Sequence, residues 1–161
     1  MSEQFEFFWK SSSPFSNFFK CSFVDLNGVV YSSTEQYVMY KKAILFNDDI
    51  SAKLILNSNN PRFAKDQGRK VTNFNQKTWV NNRELIMFQG NILKFTQNDK
   101  LKKIMLNVNN RKFVEASPYD KIWGVGMSTN NKLINDPKNW KGLNLLGVCL
   151  TKEKEVINQM V

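Results

Sequence analysis

The sequence predicts an α+β protein, mainly helical, with a small antiparallel sheet. Three observations carry this: a succession of segments with helical spacing or boundary signals, short apolar alternations near the start and again at 112–116, and an Asn27-Gly28 pair of the kind that turns a β-hairpin. The chain has 161 residues, no internal repeat and no Pro/Gly/Ser-rich linker, so it reads as one domain over 1–161.

Taken in order, Phe5-Glu6-Phe7-Phe8-Trp9-Lys10 reads as a strand. The polar, aromatic-bearing stretch Ser11-Ser12-Ser13-Pro14-Phe15-Ser16-Asn17-Phe18 reads as a loop suited to covering a pocket, and residues 19–32 as two short strands about Asn27-Gly28. A helix follows. Ser33 with Gln36 three residues later forms a capping-box pattern, which fixes the start and places Glu35 in the first turn, where the helix dipole favours an anion. Asn60-Pro61 opens a short helix that Gly68 can close, with Arg69 just beyond. A longer helix runs from about Gln76 to Gln97, carrying Trp79, Arg83, Ile86 and Leu93 near one face and interrupted by Gly90. A further helix covers about Lys100 to Leu106, Lys112–Ala116 alternates as a strand, and a terminal helix ends near Gln159.

In the capped helix Glu35, Met39, Lys42 and Phe46 recur at i, i+4, i+7 and i+11, so an acid and an amine share a stripe with apolar residues. Seven residues separate Glu35 from Lys42 by roughly 10 Å along the axis, and helical side chains lean toward the N-terminus, so a small polar ligand fits between them. Lys41 points about 100° away around the helix. The alternative is a half-exposed face with both charges in water.

Other candidate groups lie further along. Glu115 and Asp120 flank a turn beyond a strand, a placement that holds carboxylates steady with free tips; alternatively Asp120 caps the turn and Glu115 pairs with a surface lysine. Trp123-Gly124-Val125-Gly126 offers close backbone approach beside a flat indole, which suits a pocket wall. Arg69 has the fork for a phosphate, or is an ordinary helix-end arginine. Phe15 and Trp79 stand between core and stacking roles.

Composition excludes several chemistries. Histidine is absent, which removes Ser-His and Cys-His nucleophile systems and the commonest metal ligand. Cys21 and Cys149 are far apart and suggest neither a disulfide framework nor a zinc site, so no metal and no cofactor is expected. No apolar run reaches bilayer length and the start lacks a leader pattern, so a soluble, intracellular, cytoplasmic protein without membrane or obligate protein partner is expected. The formal charge of +9, from 23 Lys+Arg against 14 Asp+Glu, favours phosphorylated small molecules or nucleic acid as partners. The excess of lysine over arginine and the many asparagines fit A+T-rich coding equally well.

Together the series Ser13-Pro14-Phe15-Ser16-Asn17-Phe18, Ser33-x-Glu35-Gln36-Tyr37, Lys42-Ala43, Gly68-Arg69, Trp79-x3-Arg83-x3-Met87, Lys94-Phe95-x-Gln97-Asn98, Leu101, Glu115-x4-Asp120-x2-Trp123-Gly124-x-Gly126 and Gly142-x-Asn144-x2-Gly147 resembles the YbiA-like family, also called the NADAR domain. The resemblance spans roughly residues 5 to 150 in the family's order. It implies an N-glycosidase that cleaves the bond between a ribose C1′ and a nitrogen. The substrate is implied to be either an early riboflavin-synthesis ribosylamino-pyrimidine 5′-phosphate or ADP-ribose attached to guanine in nucleic acid. It assigns Lys42 as the amine that attacks C1′ to form a Schiff base, with Glu35 and either Glu115 or Asp120 moving protons. The substrate-binding set it implies is Phe15, Ser16 and Asn17 from the loop, then Arg69, Trp79, Trp123, Gly124, Gly126 and Asn144. Two other classes compete: a non-catalytic reader of ADP-ribose or a related nucleotide, and a basic nucleic-acid-binding module.

Overall fold

The computed structural model describes residues 4–161. Its elements are β1 (Phe5–Phe8), β2 (Phe23–Val24), β3 (Val30–Tyr31), α1 (Thr34–Leu45), α2 (Asp49–Leu56), α3 (Pro61–Gly68), α4 (Gln76–Thr96), α5 (Asp99–Leu106), β4 (Lys112–Glu115) and α6 (Leu145–Gln159), with two 3-10 turns, Lys132–Asn135 and Pro137–Asn139. Helices dominate and the strands are few and short, as the sequence predicts.

The antiparallel pair is the hairpin β2–β3, with Phe23 opposite Tyr31 and Val24 opposite Val30. Gly28 takes φ +81° at its turn, and the Asp25 carboxylate ties the loop by accepting the N–H groups of Asn27 and Val29. A second pair differs from the expected arrangement: β1 runs parallel to β4, in register from Phe5–Lys112 to Phe8–Glu115. Parallel strands need a long crossover, and here helices α1 to α5 supply it. A pairing that distant leaves no local signal in either strand.

Helix α1 lies at the centre, packed against α2, α3 and α4, while α6 packs on α4 and β4. Two glycines set these distances. A Cβ on Gly68 would collide with the Met39 side chain, and one on Gly90 would stand 2.5 Å from a ring carbon of Tyr37. Gly90 therefore interrupts the α4 pattern so that α1 can approach, and α4 continues unbroken through it.

Several boundaries differ from expectation. The first strand ends at Phe8, and Lys10 turns the chain at φ 74°. Helix α2 is absent from the sequence reading because it follows α1 after a break of three residues, leaving too short a period to see. Asp48 starts it, its carboxylate accepting from Ser51 N–H at 3.0 Å, Ser51 Oγ at 2.7 Å and Thr72 N–H at 2.9 Å. The capping box of α1 is half formed. Ser33 Oγ accepts from Gln36 N–H at 3.1 Å, but the Gln36 side chain accepts from Ser32 N–H at 2.7 Å and donates to the carbonyls of Ile55 and Ser58. Gln36 thus locks α1 to the end of α2. Among the described residues no helix is long and apolar enough to cross a membrane.

Candidate active site

The first turn of α1 is held from outside: the Glu35 N–H, one of the unpaired donors of a helix start, donates to the Asn17 carbonyl at 3.0 Å. Glu35 is 9% exposed. Two turns on, the Lys42 Nζ lies 4.9 Å from the centroid of the Phe74 ring and 5.3 Å from that of Trp79. Lys41 takes a different face, over the rings of Tyr37 and Tyr40 and 4.0 Å from Asp25. The α1 register therefore gives one lysine to the Glu35 side and the other to the hairpin.

The second wall begins where β4 ends. Glu115 is fixed by its backbone, its N–H donating to Asn144 Oδ1 at 3.0 Å and its carbonyl accepting from Val125 N–H at 3.0 Å. One of its carboxylate oxygens, Oε2, is buried with no hydrogen-bond partner. Asp120 caps its own turn: Oδ1 accepts from Ile122 N–H at 2.9 Å and Trp123 N–H at 2.8 Å. Gly124 is packed so closely that a Cβ would stand 2.9 Å from the Asp120 carbonyl and 3.0 Å from that of Glu115. That glycine is what lets the 115–126 loop fold back on itself, and the Asp120 charge acts on Glu115.

These groups act on one another electrostatically. Burial pushes Glu35 up to about 7; Lys65 pulls it down, Asp120 pushes it further up, and Lys42 and Arg69 pull it down. Glu115 is pushed up to about 8, first by burial and then by the charges of Asp120 and Glu35. Burial pulls the Lys42 amine below its ordinary value, against the charge of Glu35 and assisted by Arg69. The result is an acid that keeps its proton at neutral pH, a second near its midpoint, and an amine made easier to deprotonate. That combination suits nucleophilic attack by an amine with proton transfer from a carboxylic acid.

The remaining expected residues fall in different places. Phe15 is a correction: it is 5% exposed and packed among Phe8, Phe95 and Phe113, the last at a centroid distance of 4.7 Å, so it is core and covers nothing. Its apolar ring is better buried than exposed, and the aromatic cover of Lys42 comes from Phe74 and Trp79. Ser16 serves its own loop, its Oγ accepting from Phe18 N–H. Asn17 stays beside Glu35, with Oδ1 buried and unpartnered. Arg69 is exposed and 3.9 Å from Asp66, yet close enough to act on Glu35 and Lys42. Trp123 is half-buried behind Asp120. Gly126, at φ +69°, is required by the loop's path. Asn144, left-handed at φ 53°, spends both amide atoms on β4, accepting from Glu115 N–H and donating to the Phe113 carbonyl at 3.0 Å. It therefore positions Glu115.

Two participants, Lys65 and Phe74, escape the sequence reading, and a third, Lys94, stands in its motif series without a role. Lys65 acts on both Glu35 and Glu115 and lies 5.7 Å from the Phe18 ring centroid; its signal is its place one turn before Arg69 on α3. Phe74 sits in a loop and has no periodic signal. Lys94 is wholly buried, donating to the Pro14 carbonyl at 2.6 Å and that of Ser16 at 3.1 Å, so it pins the loop that receives Glu35. Its signal is a lysine between Leu93 and Phe95. Beside Phe18 a groove of about 500 Å³ opens, lined in part by Ser11, Ser12, Lys20 and Arg62. Among the described residues no three His, Cys, Asp or Glu side chains form a group that could hold a metal ion.

Comparison with known proteins agrees with this architecture. The NADAR domain model matches residues 7–158. An N-glycosidase of Acanthamoeba polyphaga mimivirus is 44% identical over 146 residues, covering 88% of this chain and 85% of that protein. The protein irg-1 of Caenorhabditis elegans is 36% identical over 146 residues, covering 89% of this chain and 69% of that one. The NMR structure of the E. coli protein YbiA superposes with a TM-score of 0.79 at 24% identity, covering 99% of this chain and 88% of that one, a likeness of fold.

Proposed function

The chain belongs to the NADAR domain family, and from that premise we propose that it is an N-glycosidase cleaving the C1′–N bond between a phosphorylated ribose and a guanine-derived base. Glycosidase action in general follows from the family and from the mimivirus relative. The substrate is either a ribosylamino-pyrimidine 5′-phosphate or ADP-ribosylated guanine in nucleic acid, and the +9 charge suits both. The observation that carries the mechanism is the Lys42 amine, shielded by Phe74 and Trp79 and lowered in pKa, within electrostatic reach of Glu35.

Lys42 attacks as the neutral amine. Its Nζ bonds to C1′ as the C1′–N bond breaks, the electron pair leaves on the base nitrogen, and that nitrogen takes a proton from a carboxylic acid. Glu115 fits this role because it keeps its proton to about pH 8. Nζ then gives up a proton and the ribose ring oxygen gains one as the ring opens to an imine. Water adds to C1′, losing its proton to a carboxylate of the Glu35 and Asp120 group, and the Lys42 amine leaves to release the free sugar phosphate. Dividing the displacement into two easier steps is the purpose of the covalent intermediate.

The test is product analysis with each substrate class. With the wild-type protein, free pyrimidine and ribose 5-phosphate, or unmodified nucleic acid and ADP-ribose, should appear in equal amounts, and Lys42→Ala should lower the rate at least about a thousandfold while ligand still binds. Ligand binding with no base release by the wild-type protein would identify a reader instead.

A further inference from the structure

The chain has four arginines, and three have protein partners. Arg62 and Arg69 flank Asp66 at 3.6 and 3.9 Å, and Arg111 meets Glu6 at 2.7 Å. These three are the more exposed ones. Arg83 is only 9% exposed, its Nε is enclosed without a hydrogen-bond partner, and among the described residues no carboxylate or carbonyl receives any of its N–H groups. A guanidinium with most of its surface withdrawn from water, one enclosed N–H and no counter-charge is poorly compensated where it stands. An arginine cannot escape by losing its proton.

The position of Arg83 says what is missing. It lies one turn along α4 from Trp79, the ring that shields Lys42, and helical side chains lean back toward the N-terminus, here toward Trp79. The charges acting on Lys42 are those of Glu35 and Arg69, and Arg83 is not among them. It therefore stands near the aromatic wall but outside the acid and amine group, where a part of the substrate remote from C1′ would lie. We infer that Arg83 is the residue that receives a phosphoryl group of the ribosyl substrate, its planar fork taking two phosphoryl oxygens in place of the carboxylate it lacks. This moves to Arg83 a role expected of Arg69, whose guanidinium is exposed and already faces Asp66. The identity of the anion as a sugar phosphate rests on the N-glycosidase reading.

Calorimetric titration with ribose 5-phosphate and with ADP-ribose, together with thermal unfolding with and without each ligand, tests this on Arg83→Met and Arg83→Lys. Lys103→Gln, an exposed charge on α5, is the control. Arg83→Met should unfold at or above the wild-type temperature without ligand, because an unpaired buried charge has gone, and should bind at least about tenfold more weakly. Arg83→Lys keeps the charge without the fork and should weaken binding by about the same order. Loss with ribose 5-phosphate places a monophosphate at Arg83; loss with ADP-ribose alone places a diphosphate there. If wild-type protein binds neither ligand, or both Arg83 variants bind as it does, the inference is overturned. Wild-type binding that depends on Arg83, without base release from any ribosyl substrate, would keep this inference and reject the glycosidase reading; base release with an unchanged KM in Arg83→Met would do the reverse.

Discussion

Lys42 and Trp79 meet face to charge, the Nζ 5.3 Å from the ring centroid, although one comes from α1 and the other from α4. The contact contains two opposed effects. A ring face favours the ammonium by about 0.5–1 kcal/mol where water still reaches it. Burial favours the neutral amine and is the first cause of the lowered Lys42 pKa, against the charge of Glu35 and with that of Arg69. On the proposed mechanism the aromatic wall serves the amine as a nucleophile by keeping water from it.

Phe74 is the accessible half of that wall, 44% exposed and 4.9 Å from Nζ. Phe74→Ala should admit water to Lys42, raise its pKa and move the alkaline-rising limb of kcat/KM to higher pH. The pH profiles of both proteins check this; an unmoved limb would mean that Phe74 contributes nothing to the amine.

Glu115 ionises near 4.5 when free and at about 8 here, and Glu35 at about 7. Both are raised, so the fold holds more protons than the unfolded chain between these values. Their stabilising contribution is complete below about pH 4.5 and is lost as pH rises through about 7 to 8. Glu115→Gln should flatten that loss and leave the protein more stable than wild type at about pH 8.5, by on the order of 5 kcal/mol at most. Urea unfolding at about pH 5 and pH 8.5 checks it; parallel losses in the two proteins would contradict the Glu115 assignment.

Gly90→Ala should destabilise the protein even though alanine is better in a helix by about 1 kcal/mol. A methyl there meets the Tyr37 ring at 2.5 Å, and overpacking of this kind costs roughly 1–3 kcal/mol. A raised unfolding midpoint in urea would show that α1 and α4 can separate freely.

Lys94→Met removes the Nζ that donates to the Pro14 and Ser16 carbonyls and takes away the Lys94 charge acting on buried Glu153, whose two carboxylate oxygens have no hydrogen-bond partner among the described residues. The loss should be about 3–5 kcal/mol. Because the same loop receives the Glu35 N–H, kcat should fall along with stability in the variant that remains folded. Unfolding midpoints and single-turnover rates measure the two effects separately.

Much of this was legible in the chain. The Ser33 cap fixed the register of α1, and that register alone separates Lys42 from Lys41. The Asn27-Gly28 hairpin, the extent of α4 and the end of α6 could be read from local patterns for the same reason: each rests on neighbours within a few residues. What could not be read depends on distant contacts. The β1–β4 pairing joins residues more than a hundred apart, Phe15 is a core residue because three other rings surround it, and Phe74 reaches Lys42 only through the path of a loop. The sequence predicts Asn144 as a ligand-binding amide; its bonds to β4 are visible only in three dimensions.

On the proposed mechanism Lys42 forms a covalent bond to C1′. Borohydride added during turnover reduces an imine to a stable amine, and intact-protein and peptide mass measurement locates it. One sugar-phosphate or ADP-ribose adduct is expected on Lys42, absent from Lys42→Ala. Base release without any adduct, at a rate unchanged in Lys42→Ala, would contradict it and assign the reaction to water activated by the carboxylates.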